Sequence, residues 1–331
     1  MDYPDQAGRT PFRPGTAGYG SSVDVIVMGQ VARDLVLVVP EVPDAGSTAP
    51  VRTRREVPGG KGTNIAVGLA QLGVRVGLLG VVGDDAVGQG LTERLRHDGV
   101  DTGAVVRRSG TATGLIVEVL TGGGRWRYLE DLPPAVQLHE DDVHAAEAAL
   151  TAADWLVVQL QQPPAAALAA VRLAKGAGRR VVLDGAPADD GRRDELLSRA
   201  DVLRADHHEA ELLTGYRLDD VGTALRAARE LLSRGPSVVA LAVGGAGNVF
   251  AWEGGDLVLP LVDVDVVDST GGGDAFVAGL TCALSRGDRP ERAARLAVAA
   301  AGVTATHPGG RPDLAAHRVG RALERLPDTT G

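Results

Sequence analysis

From Asp268 to Gly279 the chain reads DSTGGGDAFVAG, with Gly271, Gly272 and Gly273 directly ahead of Asp274. Glycine loses more backbone freedom on folding than any other residue, so three in a row at the start of a helical segment need a reason. Where a strand-rich region gives way to a helix, the first backbone N–H groups lack intrahelical partners and the helix dipole adds positive charge. Such a turn holds anions, and glycines let its backbone approach a phosphate closely. The plain alternative is that Asp274 caps the helix; capping accounts for the Asp and leaves the glycines unexplained. A second cluster, PGGKGTNIAVGLAQLG from Pro58 to Gly73, opens another helix with Lys61 and Asn64 near its start. It is not a P-loop, because Lys61 is followed by Gly62 and not by Ser or Thr. Two readings remain: a loop that grips a polyhydroxyl ligand through Lys61, Asn64 and backbone N–H groups, or a plain turn.

Two other groupings carry less. Gly77, Gly80 and Gly83 are spaced three apart, which does not reproduce the dinucleotide turn, so a nicotinamide cofactor is not expected. His207 and His208 precede Glu209 without a second histidine at the spacing of a zinc-binding helix, and are read as surface residues at a helix start.

Short β-branched runs alternate with longer Ala/Leu/Arg-rich segments, the pattern of βαβ units around a mainly parallel sheet. Strands are expected at 23–28, 76–79, 155–159, 181–184, 202–204 and 238–243. Helices are expected at 64–72, 86–97, 165–176, 209–213, 221–233, 274–285 and 289–301. In the helix after Asn64, Ile65, Leu69 and Leu72 recur three to four apart and put one apolar face on the sheet. Two regions, 35–57 and 111–129, carry β-rich sequence broken by Pro and Gly. They are expected to pair as a small antiparallel sheet that covers a site like a flap. Residues 1–22 read as a loose tail and 23–331 as one domain.

With 331 residues and 44% hydrophobic content the chain can bury a substantial core. A formal net charge of −9 without a basic block argues against a nucleic-acid partner. No apolar run reaches the ~20 residues that cross a bilayer. One cysteine, Cys282, permits no internal disulfide and fits a reducing compartment, so a cytoplasmic protein is expected.

Taken together, GQVARD, PGGKGTN, ADHHEAELLTG, VGGAGNVF and DSTGGGDAFVAG resemble, in order and approximate spacing, the ribokinase-like (phosphofructokinase-B type) carbohydrate kinases, with ribose kinases nearest. The resemblance runs from Val23 to about Leu314. It implies a three-layer α/β/α fold with a β-sheet lid, and transfer of the γ-phosphoryl of Mg-ATP to a primary hydroxyl of a ribose-like pentose or ketohexose. Asp274 matches the family's base, and Gly271, Gly272 and Gly273 its anion hole. Asp34, Gly60, Lys61 and Asn64 match the sugar-binding residues. Ala32 stands where ribose kinases commonly have Asn, and Gln161 where they have Glu. Asp206 and Glu209 match an Asn-x-x-Glu element at the Mg²⁺–phosphate end of ATP, and Gly244 and Gly247 a turn near the nucleotide. For a monovalent cation such as K⁺, Asp268 and the carbonyls of Thr270, Thr304, His307 and Gly309 match, with Asp313 where Ser is common. The resemblance also implies a homodimer joined through the lid. Other readings are a nucleoside kinase of the same family, a phosphosugar kinase using Arg33, Arg125 and Arg127, and a non-catalytic sugar- or nucleotide-binding protein.

Overall fold

The computed structural model describes residues 23–122 and 125–327; the segment 1–22, read above as a tail, lies outside the described residues. Nine strands form the main sheet, in the order 255–259, 248–252, 238–242, 202–205, 180–184, 155–159, 25–28, 76–79, 100–101. All neighbours run parallel except at the 238–242 edge, where two antiparallel strands are added. Strands Val25–Met28 and Val76–Leu79 are buried along their whole length, as β-branched and leucine-rich strands must be when helices cover both faces.

One apolar layer packs helices Lys61–Gln71, Gly272–Ser285 and Pro290–Thr304 on the sheet, and the other packs Pro164–Gly176, Arg193–Arg199 and Val221–Ser233 on its opposite face. The architecture is the expected three-layer α/β/α arrangement. Small residues let two helices of the first layer touch. A Cβ added to Gly68 would lie 2.8 Å from the Cβ of Ala278. Four residues earlier on each helix stand Asn64 and Asp274, so the helices run side by side in the same direction and bring those two residues together.

A second sheet has the order Thr53–Gly59, Ala32–Val38, Leu115–Thr121, Arg125–Asp131. Its outer pairs are antiparallel. Its central pair runs parallel, unlike the antiparallel sheet the sequence suggested. Two separate hairpins have docked side by side, and the long chain between residues 38 and 115 supplies the crossover that a parallel pair needs.

Candidate active site

The first strand of the main sheet, Val25–Met28, has its parallel neighbours in sequence on opposite sides, 76–79 and 155–159. The crevice at the carboxyl ends of such strands is where open α/β sheets bind ligands. Gly29 follows that strand, and helix Lys61–Gln71 begins against it. A Cβ at Gly62 would sit 2.5 Å from the carbonyl carbon of Gly29, and one at Gly60 would sit 2.7 Å from the oxygen of Gln30. Gly60 also has φ +85°. The space over Gly59 is filled by the carboxylate of Asp34. The glycines of this loop are therefore demanded by close packing, and the same packing sets Asp34, Lys61 and Asn64 at the rim of one crevice.

Helix Gly272–Ser285 starts from Gly271, which has a left-handed backbone (φ +70°) and supports no side-chain cap. Asp274 is in the first turn, 6% exposed, and its Oδ2 accepts a 2.9 Å hydrogen bond from the Asn64 amide. It does not cap the helix. Burial pushes the Asp274 carboxyl up to about 7, helped by the charge of Asp184 and opposed by Lys61, by the Asn64 hydrogen bond and by Arg204. A carboxylate poised near neutrality can take a proton from a hydroxyl. Burial, followed by the charge of Asp274, also lifts Asp34 to about 7. Several buried polar atoms around the crevice have no hydrogen-bond partner among the described residues: Asp34 Oδ1, Asn64 Oδ1 and Gln159 Oε1. Buried polar groups are rarely left so, and a polyhydroxyl ligand would satisfy them.

The three glycines of the second loop have three different reasons. A side chain at Gly271 would strike the carbonyl of Gly310. One at Gly273 would place its Cβ 2.8 Å from Nη2 of Arg204. At Gly272 the nearest atom would be Ala301 O at 3.8 Å, an ordinary contact, so the protein itself does not forbid a side chain there.

Asp206 and Glu209 form a reciprocal cap on helix His207–Thr214: Glu209 N donates to Asp206 Oδ1 and Asp206 N to Glu209 Oε2, both at 2.8 Å. Both residues thus act as caps, and the cap also fixes the Glu209 carboxylate 4.0 Å from Lys61 Nζ. Gly244 and Gly247 flank a short turn between strands 238–242 and 248–252, both with positive φ. A Cβ at Gly247 would strike the backbone of Leu259, whereas Gly244 faces open space.

Asp268 is buried and orders the loop ahead of the glycines, accepting from Thr270 N at 2.9 Å and from Gly309 N at 2.8 Å. Thr304 is fully buried, its hydroxyl donating to Ala300 O at 3.0 Å, and His307 Nε2 is buried without a hydrogen-bond partner among the described residues. Asp313 is 49% exposed and pairs with Arg318 at 2.8 Å. The second sheet reaches this loop through Tyr128, whose hydroxyl meets that of Thr270 at 2.5 Å, and through Glu118, 3.5 Å from the same oxygen. Burial, then the charge of Asp268, raises Glu118 to about 8.

Gln161 is exposed just past its strand. Gln159, two residues earlier, is 1% exposed, and its Cβ lies 3.1 Å from where a Cβ on Gly29 would stand. Asp184 and Arg204, also unforeseen, face each other at the crevice floor. Their signal was present in the sequence: a charge in each of two otherwise apolar strand runs.

The pfkB family carbohydrate kinase model matches residues 23–316. The chain belongs to the pfkB carbohydrate kinase family. This pfkB-family chain is similar to the ribokinase of Haemophilus influenzae, 30% identical over 288 residues that cover 87% of this chain and 94% of the relative. An ATP-dependent ribose-1-phosphate kinase of Halopiger xanaduensis is 33% identical over 298 residues, 87% of this chain and 94% of that one. Among solved structures, Arabidopsis thaliana ribokinase complexed with ribose and ATP superposes with a TM-score of 0.77 at 25% identity, covering 92% of this chain and 99% of the other. The protein is an enzyme, a pfkB-family kinase of ribokinase type whose acceptor is a sugar or a nucleoside.

Proposed function

We propose that this kinase transfers the γ-phosphoryl of Mg-ATP to a primary hydroxyl of a ribose-like sugar. The observation that carries the reading is Asp274, buried at a glycine-opened helix start, tied to Asn64 and lifted to about 7. Asp274 takes the proton of the attacking hydroxyl as the new O–P bond forms. The backbone turn Gly271–Gly273 holds the transferring phosphoryl, since positioning and charge stabilisation supply most of the rate in such reactions. Asp34, Asn64 and Gln159 orient the sugar hydroxyls, and Lys61 keeps Asp274 ionisable.

Bound Mg²⁺ would neutralise phosphate charge. Asp206 and Glu209 suit contact with the hydrated ion through water, because among the described residues no three acidic, His or Cys side chains converge on a metal position. For K⁺, the oxygen-rich neighbourhood of Asp268 with Glu118 close by fits a hard cation, held by Asp268 and the carbonyls of Thr270, Thr304, His307 and Gly309. The two hairpins, Ala32–Val38 with Thr53–Gly59 and Leu115–Thr121 with Arg125–Asp131, act as the lid that excludes water. The exposed Trp126 and Leu129 on an edge strand make this sheet the face of a homodimer. We place the enzyme in the cytoplasm; no helix among the described residues is long and apolar enough to cross a membrane.

A second reading, a ribose carrying a phosphate, draws on the Halopiger relative; Arg33 points to the opposite face of its strand from Asp34, where it pairs with Glu56. Arg125 and Arg127 are exposed on a strand and add nothing to the crevice. A coupled ATP-consumption assay over pentoses, ketohexoses, ribose phosphates and nucleosides tests these readings, with ribose expected to lead. Turnover of none of them, at any workable Mg²⁺ and K⁺, would sink the kinase reading in favour of a binding protein.

A further inference from the structure

Parallel register sets Asp184 opposite Arg204 on adjacent interior strands, flanked by the buried Val182, Leu183, Val202, Leu203 and Ala205. Nη1 of Arg204 donates to Asp184 Oδ1 at 3.0 Å, and Glu209 Oε2 lies 3.9 Å from the same nitrogen. Burial alone would lower the guanidinium's pKa; the charges of Asp184 and Glu209 more than reverse that and keep it protonated. One face of the group lies over the Phe276 ring, 5.8 Å from its centroid. Nε and Nη2 have no hydrogen-bond partner among the described residues. A guanidinium carries five donors in a planar fork, so most of this one is unused.

Nη2 is turned toward the glycine loop, where a Cβ at Gly273 would fall 2.8 Å from Nη2 and 3.2 Å from Nη1. A guanidinium and a helix N-terminus are both positive. Holding them together costs energy unless an anion lies between them. Planar forks are suited to phosphate oxygens, which they bind in pairs.

We propose that Arg204 is a phosphate ligand of this kinase, its Nη2 holding the terminal phosphoryl of the nucleotide over Gly273 while Asp184 and Glu209 keep the guanidinium in place. Charge building on the phosphoryl oxygens during transfer then meets backbone N–H groups on one side and an arginine on the other. The inference rests on the kinase reading, but its test does not require the acceptor to be known.

The experiment titrates the full chain, in Mg²⁺, with a non-hydrolysable ATP analogue, ADP and adenosine, by calorimetry. Arg204→Gln should weaken the analogue by about tenfold or more, ADP less, and adenosine not at all, with Arg204→Lys recovering part of the loss. Because Arg204→Gln leaves Asp184 buried and unpaired, the double variant Arg204→Gln/Asp184→Asn, which removes both charges, should show the same selective loss in a well-folded protein. With whichever acceptor is turned over, kcat should fall about a hundredfold while the acceptor KM stays within about twofold. Equal weakening of all three ligands, or a folded double variant that binds the analogue as tightly as the wild type, overturns the assignment. If no acceptor is turned over but the triphosphate-selective loss is seen, the kinase reading fails and Arg204 keeps its role.

Discussion

The two glycine loops, 59–62 and 271–273, open helices that lie side by side, yet their glycines answer different demands. In the first, Gly59, Gly60 and Gly62 are each pressed by Asp34, Gln30 or Gly29, so the protein's own packing requires them. In the second, Gly271 is pressed by Gly310 and Gly273 by Arg204, while Gly272 has room for a methyl. A run of like residues can therefore mix fold and function position by position. On the proposed reading, the glycine without a close neighbour is the one left bare for a ligand.

The largest effect that sharpens this contrast is at the second loop's carboxylate. Asp274→Asn should lower kcat by about 10²–10⁴-fold while sugar binding persists, as measured by steady-state kinetics and calorimetry. The same change should raise the Tm at pH 8 and leave it unaltered near pH 4. A carboxyl lifted from 3.8 to about 7 favours the folded state below its unfolded pKa, and that stability is lost as pH rises through 7. Comparable turnover in the variant would remove Asp274 from its role.

Next come the glycines themselves. Gly62→Ala should destabilise by about 1–3 kcal/mol, because its Cβ meets backbone and the helix start cannot yield freely. Gly272→Ala should leave thermal stability equal or slightly higher, since alanine suits a helix better, yet cut kcat/KM for ATP about tenfold or more. A fully active Gly272→Ala enzyme would erase the distinction between the loops. A smaller effect belongs to Lys61→Ala: losing that positive charge should move the acid limb of the kcat/KM profile above pH 7, and Lys61→Arg should restore it. An unmoved limb would mean that Asp274 does not set it. The least effect on chemistry is expected from Trp126→Arg, which should lower the mass seen by light scattering while turnover survives. A monomeric wild-type protein would dispose of the lid-mediated dimer.

Much of the parallel sheet was legible because its strands are continuous apolar runs. Strands 76–79 and 155–159 and helices 86–97 and 221–233 match their expected bounds. The antiparallel edge 248–259 and the short helices Glu140–Ala145, Glu147–Ala152, Arg193–Arg199 and Ala316–Glu324 were not foreseen, being too brief for a clear period. Asp274 was expected at the helix start, but the helix opens two residues earlier at Gly272, because a left-handed Gly271 can lead directly into it. Asp274, Asn64 and Lys61 could be picked from the sequence since each sits in or beside a glycine cluster, whereas Asp34 was reached only through the family resemblance. Gln159 could not be picked, and Asp184 and Arg204 showed only as a charge in each of two apolar runs, because it takes the parallel register and the close pass of Gly29 to put all three on one crevice.

The contact between Gly68 and Ala278 gives the reaction centre an unusual kind of leverage. One helical turn, about 5.4 Å, separates it from the amide and carboxylate that must meet. A single methyl inserted at Gly68 would act as a wedge, prising the helices apart and unhitching the base from its partner without touching a ligand. Loop 59–62 and Asp274 are thus tied through two contacts one turn apart, and on the proposed reading any closing motion would come from the hairpins opposite.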